Sequence, residues 1–163
     1  MPVPPSCYHA MASATVIANL SASDETTGKD LYRRELVKNQ SARLISGYIY
    51  ADAGEGESST DLVFAGHNLI AENGSILSET KRFENGMTIS EIDLGRLVSE
   101  RRRMSTFTIN DPETNGYEVA EFEFKNICDT TLTRHFEKTP FVPNDKNAVS
   151  YTHLRAHETS AHL

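Results

Sequence analysis

"TVIANLSASDETTGKDLYRRELVKNQSARLISGYIYA", residues 15–51, contains three segments of different periodicity. Its opening, Thr15 to Leu20, is a short apolar run bounded by small polar residues, the pattern of a strand buried on both faces. A polar loop follows, "SASDETTGKD" (21–30), with Gly28 to relieve the backbone. From Asp30 onward the spacing predicts a helix. At 100° per residue, Leu31, Val37, Ala42, Leu44 and Ile45 share one arc, with Asp30 placed to cap the start and Gly47 to close the end. Leu36 falls outside that arc and Arg34 inside it, so the amphipathic pattern is imperfect. "GYIYA" (47–51) is β-branched and aromatic, hence a second strand. Strand, helix, strand in this order predicts a βαβ unit with parallel strands.

The pattern changes downstream. "HNLIAENGSILSE" (67–79) sets Asn73-Gly74 between two apolar segments, a strong hairpin signal because both central positions of the turn need positive φ. "MTISEIDL" (87–94) reads as another strand and "LGRLVSERRRM" (94–104) as a short helix. "YEVAEFEFK" (117–125) ends the globular pattern, with Phe122 and Phe124 on one face. "TPFVPNDKN" (139–147) reads as an extended, proline-stiffened linker. A βαβ unit followed by hairpins and a helix fits a layered α/β or α+β sandwich.

Composition narrows the function. At 163 residues the chain is long enough for one domain with a real core. Its net charge of −7 argues against a general nucleic-acid binder, which needs a basic surface to neutralise phosphates. No window approaches the roughly 18 apolar residues of a membrane span, and the N-terminus lacks the regions of a signal peptide. Cys7 and Cys128 form neither a disulfide framework nor a zinc spacing, so a reducing, cytoplasmic setting is expected.

Four clusters are candidates for chemistry. Cys7, followed by Tyr8 and His9, is a possible nucleophile, but a working thiolate needs a base or cation at hand, and a lone cysteine here reads more simply as a small core residue. The 21–30 loop lies directly after a strand, where open α/β folds place ligands. Its Ser21 and Ser23 offer hydroxyls and backbone donors, Asp24 and Glu25 negative charge, and Lys29 a flexible cation. That set suits a zwitterion such as an amino acid, its carboxylate meeting Lys29; a solvated loop capping the next helix fits equally. "DAGEGESSTD" (52–61) permits close backbone approach at Gly54 and Gly56 and carries Glu55, Glu57 and Asp61. It has neither the Gly-Lys-Ser/Thr ending of a phosphate loop nor an EF-hand spacing, and reads as a mobile surface loop. Arg101, Arg102 and Arg103 form a local patch, better explained as favourable charge at a helix C-terminus than as an anion site.

Residues 2–83 taken together resemble the glutaminase domain of glutamine-dependent NAD synthetases, members of the nitrilase (carbon–nitrogen hydrolase) superfamily. The runs that carry the resemblance are "NLSAS", "GK…YRRELVKNQSAR", "YIYADAGEGESSTD" and "GHNLIAENG", and "SERRRMSTF" and "TPFVP" extend it. It implies a nitrilase-like α-β-β-α sandwich, of which this chain is the C-terminal portion. It also implies a Glu-Lys-Cys triad that hydrolyses glutamine, the ammonia passing to a synthetase domain where ATP, with Mg²⁺, has activated deamido-NAD. The family's nucleophile stands in a Cys-Glu-Asp-x-Trp run just ahead of the segment matched by Pro2–Ser6, so the resemblance places the whole triad upstream of Met1. Cys7 matches a position without a catalytic role. The substrate-contacting serine of the family matches Ser23, and its basic contact six residues later, Arg in some members, matches Lys29. No catalytic residue, metal ligand or cofactor is expected within this chain.

The expected organisation is a glutaminase-domain portion over 1–138, the start of a linker to a synthetase domain over 139–148, and a non-native tail over 149–163. That tail contains "VSYTHLRAHET", which one reading frame of a common sequencing adapter encodes. The parent is expected to be a cytoplasmic homo-oligomer, with the synthetase domain in cis and no nucleic-acid or membrane partner, and the isolated chain is expected to be inactive. Other readings stay open at this point: an intact hydrolase using Cys7, a part of another nitrilase-superfamily amidase, and a non-catalytic half-sandwich that serves as a binding module.

Overall fold

The computed structural model describes residues 2–110, 112, 116–123 and 131–136. Cys128, Phe124, the 139–147 linker and the 149–163 tail lie outside the described residues. The chain divides into two compact units, Met1–Leu132 and Thr133–Leu163. In the second, the described residues include Arg134, whose guanidinium lies 4.5 Å from the centre of the Phe136 ring. Among the described residues no helix is long and apolar enough to cross a membrane.

The first unit is a four-stranded mixed sheet with helices. The elements run α1 (Pro5–Met11), β1 (Val16–Ser21), α2 (Lys29–Leu44), β2 (Gly47–Asp52), β3 (Leu69–Glu72), β4 (Ser75–Glu79) and α3 (Leu94–Arg103). The strands lie in the order β1-β2-β3-β4. The expected βαβ unit is present: β1 and β2 pair in parallel, from Val16↔Gly47 to Ser21↔Asp52. The hairpin is present too, with Asn73 at φ 43° and Gly74 at φ 86° joining antiparallel β3 and β4. Gly74 is doubly constrained, because a Cβ there would come 3.0 Å from the Ala42 Cβ on α2. Its N–H donates to Ser41 Oγ at 2.9 Å, which docks the turn on the helix.

Alternation along the strands sends Tyr48 and Tyr50 into a core with Ile17, Leu69 and Ala71, and there Cys7 and Ala10 of α1 and Val37 and Leu44 of α2 meet them. Cys7 is therefore a core residue.

Several local expectations give way. Only Ile17 of β1 is buried, while Leu20 is 86% exposed, so this strand is covered on one face and not both. α2 buries Arg33, Val37, Ser41 and Leu44, whereas Leu31 is exposed; its inner face is rotated from the apolar arc and carries Arg33 where Arg34 was expected. Asp30 does not cap α2, whose N-cap is Gly28 with φ 80°. Nor does Gly47 close it. Ile45 takes the left-handed position at φ 45°, while Gly47 opens β2, where a Cβ would meet Ile92 Cδ1 at 2.9 Å. Residues 87–93 form no strand. The segment meets the sheet with Ile92 on Gly47 and with the Asp93 N–H donating to Glu72 Oε2 at 2.7 Å, a side-chain acceptor and not a ladder carbonyl. Residues 117–123 form no regular element, and Phe122 is 76% exposed.

Candidate functional site

One face of the parallel pair carries a series of polar contacts to the strands' C-terminal ends. Asn19 Nδ2 donates to the Tyr48 hydroxyl at 3.3 Å, and the Tyr50 hydroxyl donates to Ser21 Oγ at 2.9 Å. Beyond them, the Ser23 N–H donates to Asp52 Oδ1 at 3.1 Å. The 21–30 loop thus leaves the sheet at the carboxyl end of β1, beside β2, the place where α/β folds gather ligands. Ser23 is tied down there through its backbone. Lys29, the first residue of α2, donates to Asp24 Oδ1, a bond that also holds the Asp24 carboxyl below its usual range. Both expected site residues stand on this loop, and the Lys29 ammonium is already engaged by an acid of the same loop.

Behind the loop lies a buried charge network that the sequence reading did not assemble. Arg33 Nη2 donates to Glu25 Oε2 at 2.8 Å and lies 3.6 Å from Asp52 Oδ2. The side chains of Arg33, Glu25 and Asp52 are 3%, 6% and 0% exposed, so these charges face one another and hardly any water. Burial pushes the Asp52 carboxyl above its ordinary value, and the Ser23 N–H and the Arg33 charge offset this only in part. Burial also works against the Arg33 charge, but the hydrogen bond it donates to Glu25 and the charges of Asp52 and Glu25 outweigh it and push the guanidinium up. Arg82 extends the network, reaching Glu25 at 3.2 Å and Asp30 at 3.3 Å.

His67 closes the inner end. Its Nδ1 stands 3.3 Å from Arg33 Nη1. A guanidinium only donates, so Nδ1 must be the bare acceptor and the ring proton sits on Nε2. Burial first, and the Arg33 charge second, hold the His67 pKa below its ordinary value, against weaker upward pulls from Glu79 and Glu25. The consequence for stability has a definite sign. The unfolded chain takes up a proton at about pH 6.5 and the folded chain resists it, so this contribution is complete above about pH 6.5 and is lost as pH falls toward the lower folded value. Thermal melts of the purified chain across that window should show wild-type stability falling with pH. His67→Asn should flatten that slope, and an unchanged slope in the variant would contradict the assignment.

The 52–66 loop closes on itself and on the 21–25 loop. Gly54 N–H donates to Glu57 Oε2 at 3.0 Å, Gly66 N–H to Ala53 O at 2.9 Å and Glu25 N–H to Val63 O at 2.7 Å. Glu55 accepts from Asn85 Nδ2. The other candidates separate. Cys7 Sγ is approached by Gln40 Nε2 at 3.6 Å, whereas His9 Nδ1 is 2.7 Å from the Tyr117 hydroxyl and lines a cavity of about 360 Å³ with it. Arg101 is no anion site. It is buried, and donates to the Ile45, Leu44 and Ala14 carbonyls at 3.0, 3.0 and 2.8 Å.

The architecture, a parallel βαβ unit continued by an antiparallel hairpin and backed by helices, is part of the nitrilase-type α/β fold. In fold it matches the solved glutamine-dependent NAD+ synthetase of Acinetobacter baumannii in complex with ADP, with a TM-score of 0.50 and 21% identity over 55% of this chain and 17% of that one. A glutamine-dependent NAD(+) synthetase from Cytophaga hutchinsonii is 32% identical over 47% of this chain and 13% of its own, with a TM-score of 0.44. Sequence carries the relationship further. The chain is 43% identical over 155 residues to the glutamine-dependent NAD(+) synthetase of Mycobacterium tuberculosis and 42% identical over 152 residues to that of Mycobacterium leprae. These matches cover 89% of this chain and 22% of each relative. No family profile matches. The chain is homologous to a segment of the glutamine-dependent NAD(+) synthetases and spans 22% of their length.

Proposed function

We propose that this segment supplies part of the glutamine-binding pocket of a glutaminase domain, and that the residues breaking the amide bond stand outside it. The observation that carries the proposal is the 43% identity over 155 residues to enzymes named for their glutamine dependence. The site's chemistry is compatible with it: the 21–30 loop offers Ser23 at the strand ends and Lys29 as a cation for an α-carboxylate. Such a carboxylate has to share or displace Asp24, the present partner of Lys29. Lysine supplies the charge without the planar two-pronged grip of arginine. In the parent, ammonia released from glutamine amidates deamido-NAD in a synthetase domain in cis, and ATP and Mg²⁺ serve that domain. A cytoplasmic, homo-oligomeric parent belongs to the same proposal. Cys7 is no nucleophile in this reading, being packed in the core with the Gln40 amide donating to its sulfur at 3.6 Å.

The test replaces the matching segment of the Mycobacterium tuberculosis enzyme with residues 2–147 of this chain. Glutamine-dependent and ammonia-dependent NAD formation are then compared in the same preparation. The graft is expected to use glutamine, and Ser23→Ala and Lys29→Met should each raise the KM for glutamine roughly tenfold or more, the worth of a lost charge-assisted contact. The chain on its own should release no ammonia from glutamine. A KM unmoved by both substitutions would sink the pocket assignment, and turnover by the isolated chain would sink the claim that the reacting groups lie elsewhere.

A further inference from the structure

The parallel ladder ends one step before the substrate loop. Its last bond runs from the Ala53 N–H to Ser21 O at 2.8 Å. The next strand-like donor, the Ser23 N–H, finds no ladder carbonyl and is taken up by a side chain, Asp52 Oδ1, at 3.1 Å. Asp52 itself is fixed, because its own N–H donates to Asn68 Oδ1 at 2.9 Å and its side chain is wholly buried. Its second oxygen, Oδ2, is buried without a hydrogen-bond partner among the described residues and faces Arg33 Nη2 at 3.6 Å. A buried carboxylate with one oxygen left unbonded is costly to keep for packing alone. Here the engaged oxygen determines where the loop carrying Ser23 leaves the sheet.

We infer that Asp52 is a positioning residue for glutamine binding, acting on substrate through the backbone of Ser23 while Arg33 holds its other oxygen. The inference rests on the glutaminase reading above. Its chemistry makes asparagine an informative replacement. If the amide oxygen accepts from Ser23, the amide NH₂ must face the Arg33 guanidinium, donor against donor, where both side chains are buried. The amide therefore cannot satisfy both neighbours, although its volume is nearly unchanged.

The experiment uses the grafted synthetase, with glutamine-dependent rates normalised to the ammonia-dependent rate of the same preparation. Asp52→Asn is expected to raise the KM for glutamine about tenfold, with a smaller change in kcat, and Asp52→Ala should do at least as much. Because Asp52 acts through Ser23, Asp52→Asn combined with Ser23→Ala should show a KM close to that of the worse single variant, not the product of the two. A general loss of packing would not produce that non-additivity. The inference is overturned if Asp52→Asn leaves KM unchanged, or if the two effects multiply. A graft that works with ammonia but never with glutamine would overturn the glutaminase reading, and this inference with it.

Discussion

Replacing Arg101 with alanine is expected to cost about 3–5 kcal/mol of stability, a large share of the roughly 5–15 kcal/mol that holds a domain of this size together. The residue is 4% exposed, and its guanidinium binds three main-chain carbonyls at 3.0 Å or less. Two of them, Leu44 and Ile45, stand at the end of α2, where the last turn of a helix leaves carbonyls without intrahelical donors. The third, Ala14, precedes β1. One side chain on α3 thus closes the end of α2 and clamps the entry to the sheet, with the Phe107 ring 4.9 Å away as its cover. Alanine leaves those carbonyls buried and unpaired and opens a void besides. Chemical or thermal unfolding should show a drop in midpoint of roughly 10–20 °C. Arg103 supplies the control, since its side chain is 74% exposed and lies 3.7 Å from Glu100. Arg103→Ala should stay within about 0.5 kcal/mol of wild type. Equal losses in the two variants would show that the carbonyl clamp contributes nothing.

That contrast between adjacent arginines bears on what the sequence disclosed. "SERRRM" reads as one patch of charge, yet Arg101 lies four residues after the fully buried Leu97, and helical spacing puts both on one face. The signal was present, but a charged residue on an inner face is easily discounted. Elements written locally were legible. The βαβ unit follows from period and length, and the hairpin from Asn73-Gly74. Elements set by distant partners were not. The inner face of α2 is chosen by Glu25, Asp52 and His67, which draw Arg33 inward and turn Leu31 to solvent. The stretch 87–94 has strand-like composition but meets the sheet through Ile92 on Gly47 and the Asp93 N–H on the Glu72 side chain, and no local pattern records that. For the site, loop position and family resemblance pointed to Ser23 and Lys29. Asp52 was visible only as the start of a glycine-rich acidic loop. Its parity with Tyr48 and Tyr50 on β2 was the available clue, because a strand sends every second side chain to the same face.

Arg33→Met should destabilise the fold by about 3–5 kcal/mol at neutral pH, the usual cost of leaving buried charge without its partner. Methionine fills much of the space, so the loss comes chiefly from Asp52, which no longer faces a cation at 3.6 Å, and from Glu25, which loses its contact at 2.8 Å and keeps Arg82 at 3.2 Å. The origin of the loss dictates its pH dependence. Asp52 already sits above its ordinary value because of burial, and without Arg33 the remaining downward pull is chiefly the Ser23 N–H. A carboxyl whose folded pKa is raised favours the fold in its protonated form, so its contribution is present at low pH and lost as pH rises through the folded value. His67 works in the same direction on the difference between the two proteins. Its depressed pKa owes part of its shift to Arg33, so the variant pays less than wild type to protonate it. The gap between wild type and Arg33→Met should therefore narrow on moving from about pH 8 to about pH 5. Adding Asp52→Asn to the variant should restore part of the lost stability at neutral pH, because an apolar side chain beside a neutral amide no longer buries an unpaired charge there. A gap that holds constant across that range, with no recovery in the double variant, would mean that Arg33 stabilises the fold by packing its stem, and the buried ion pairs would then carry none of the effect.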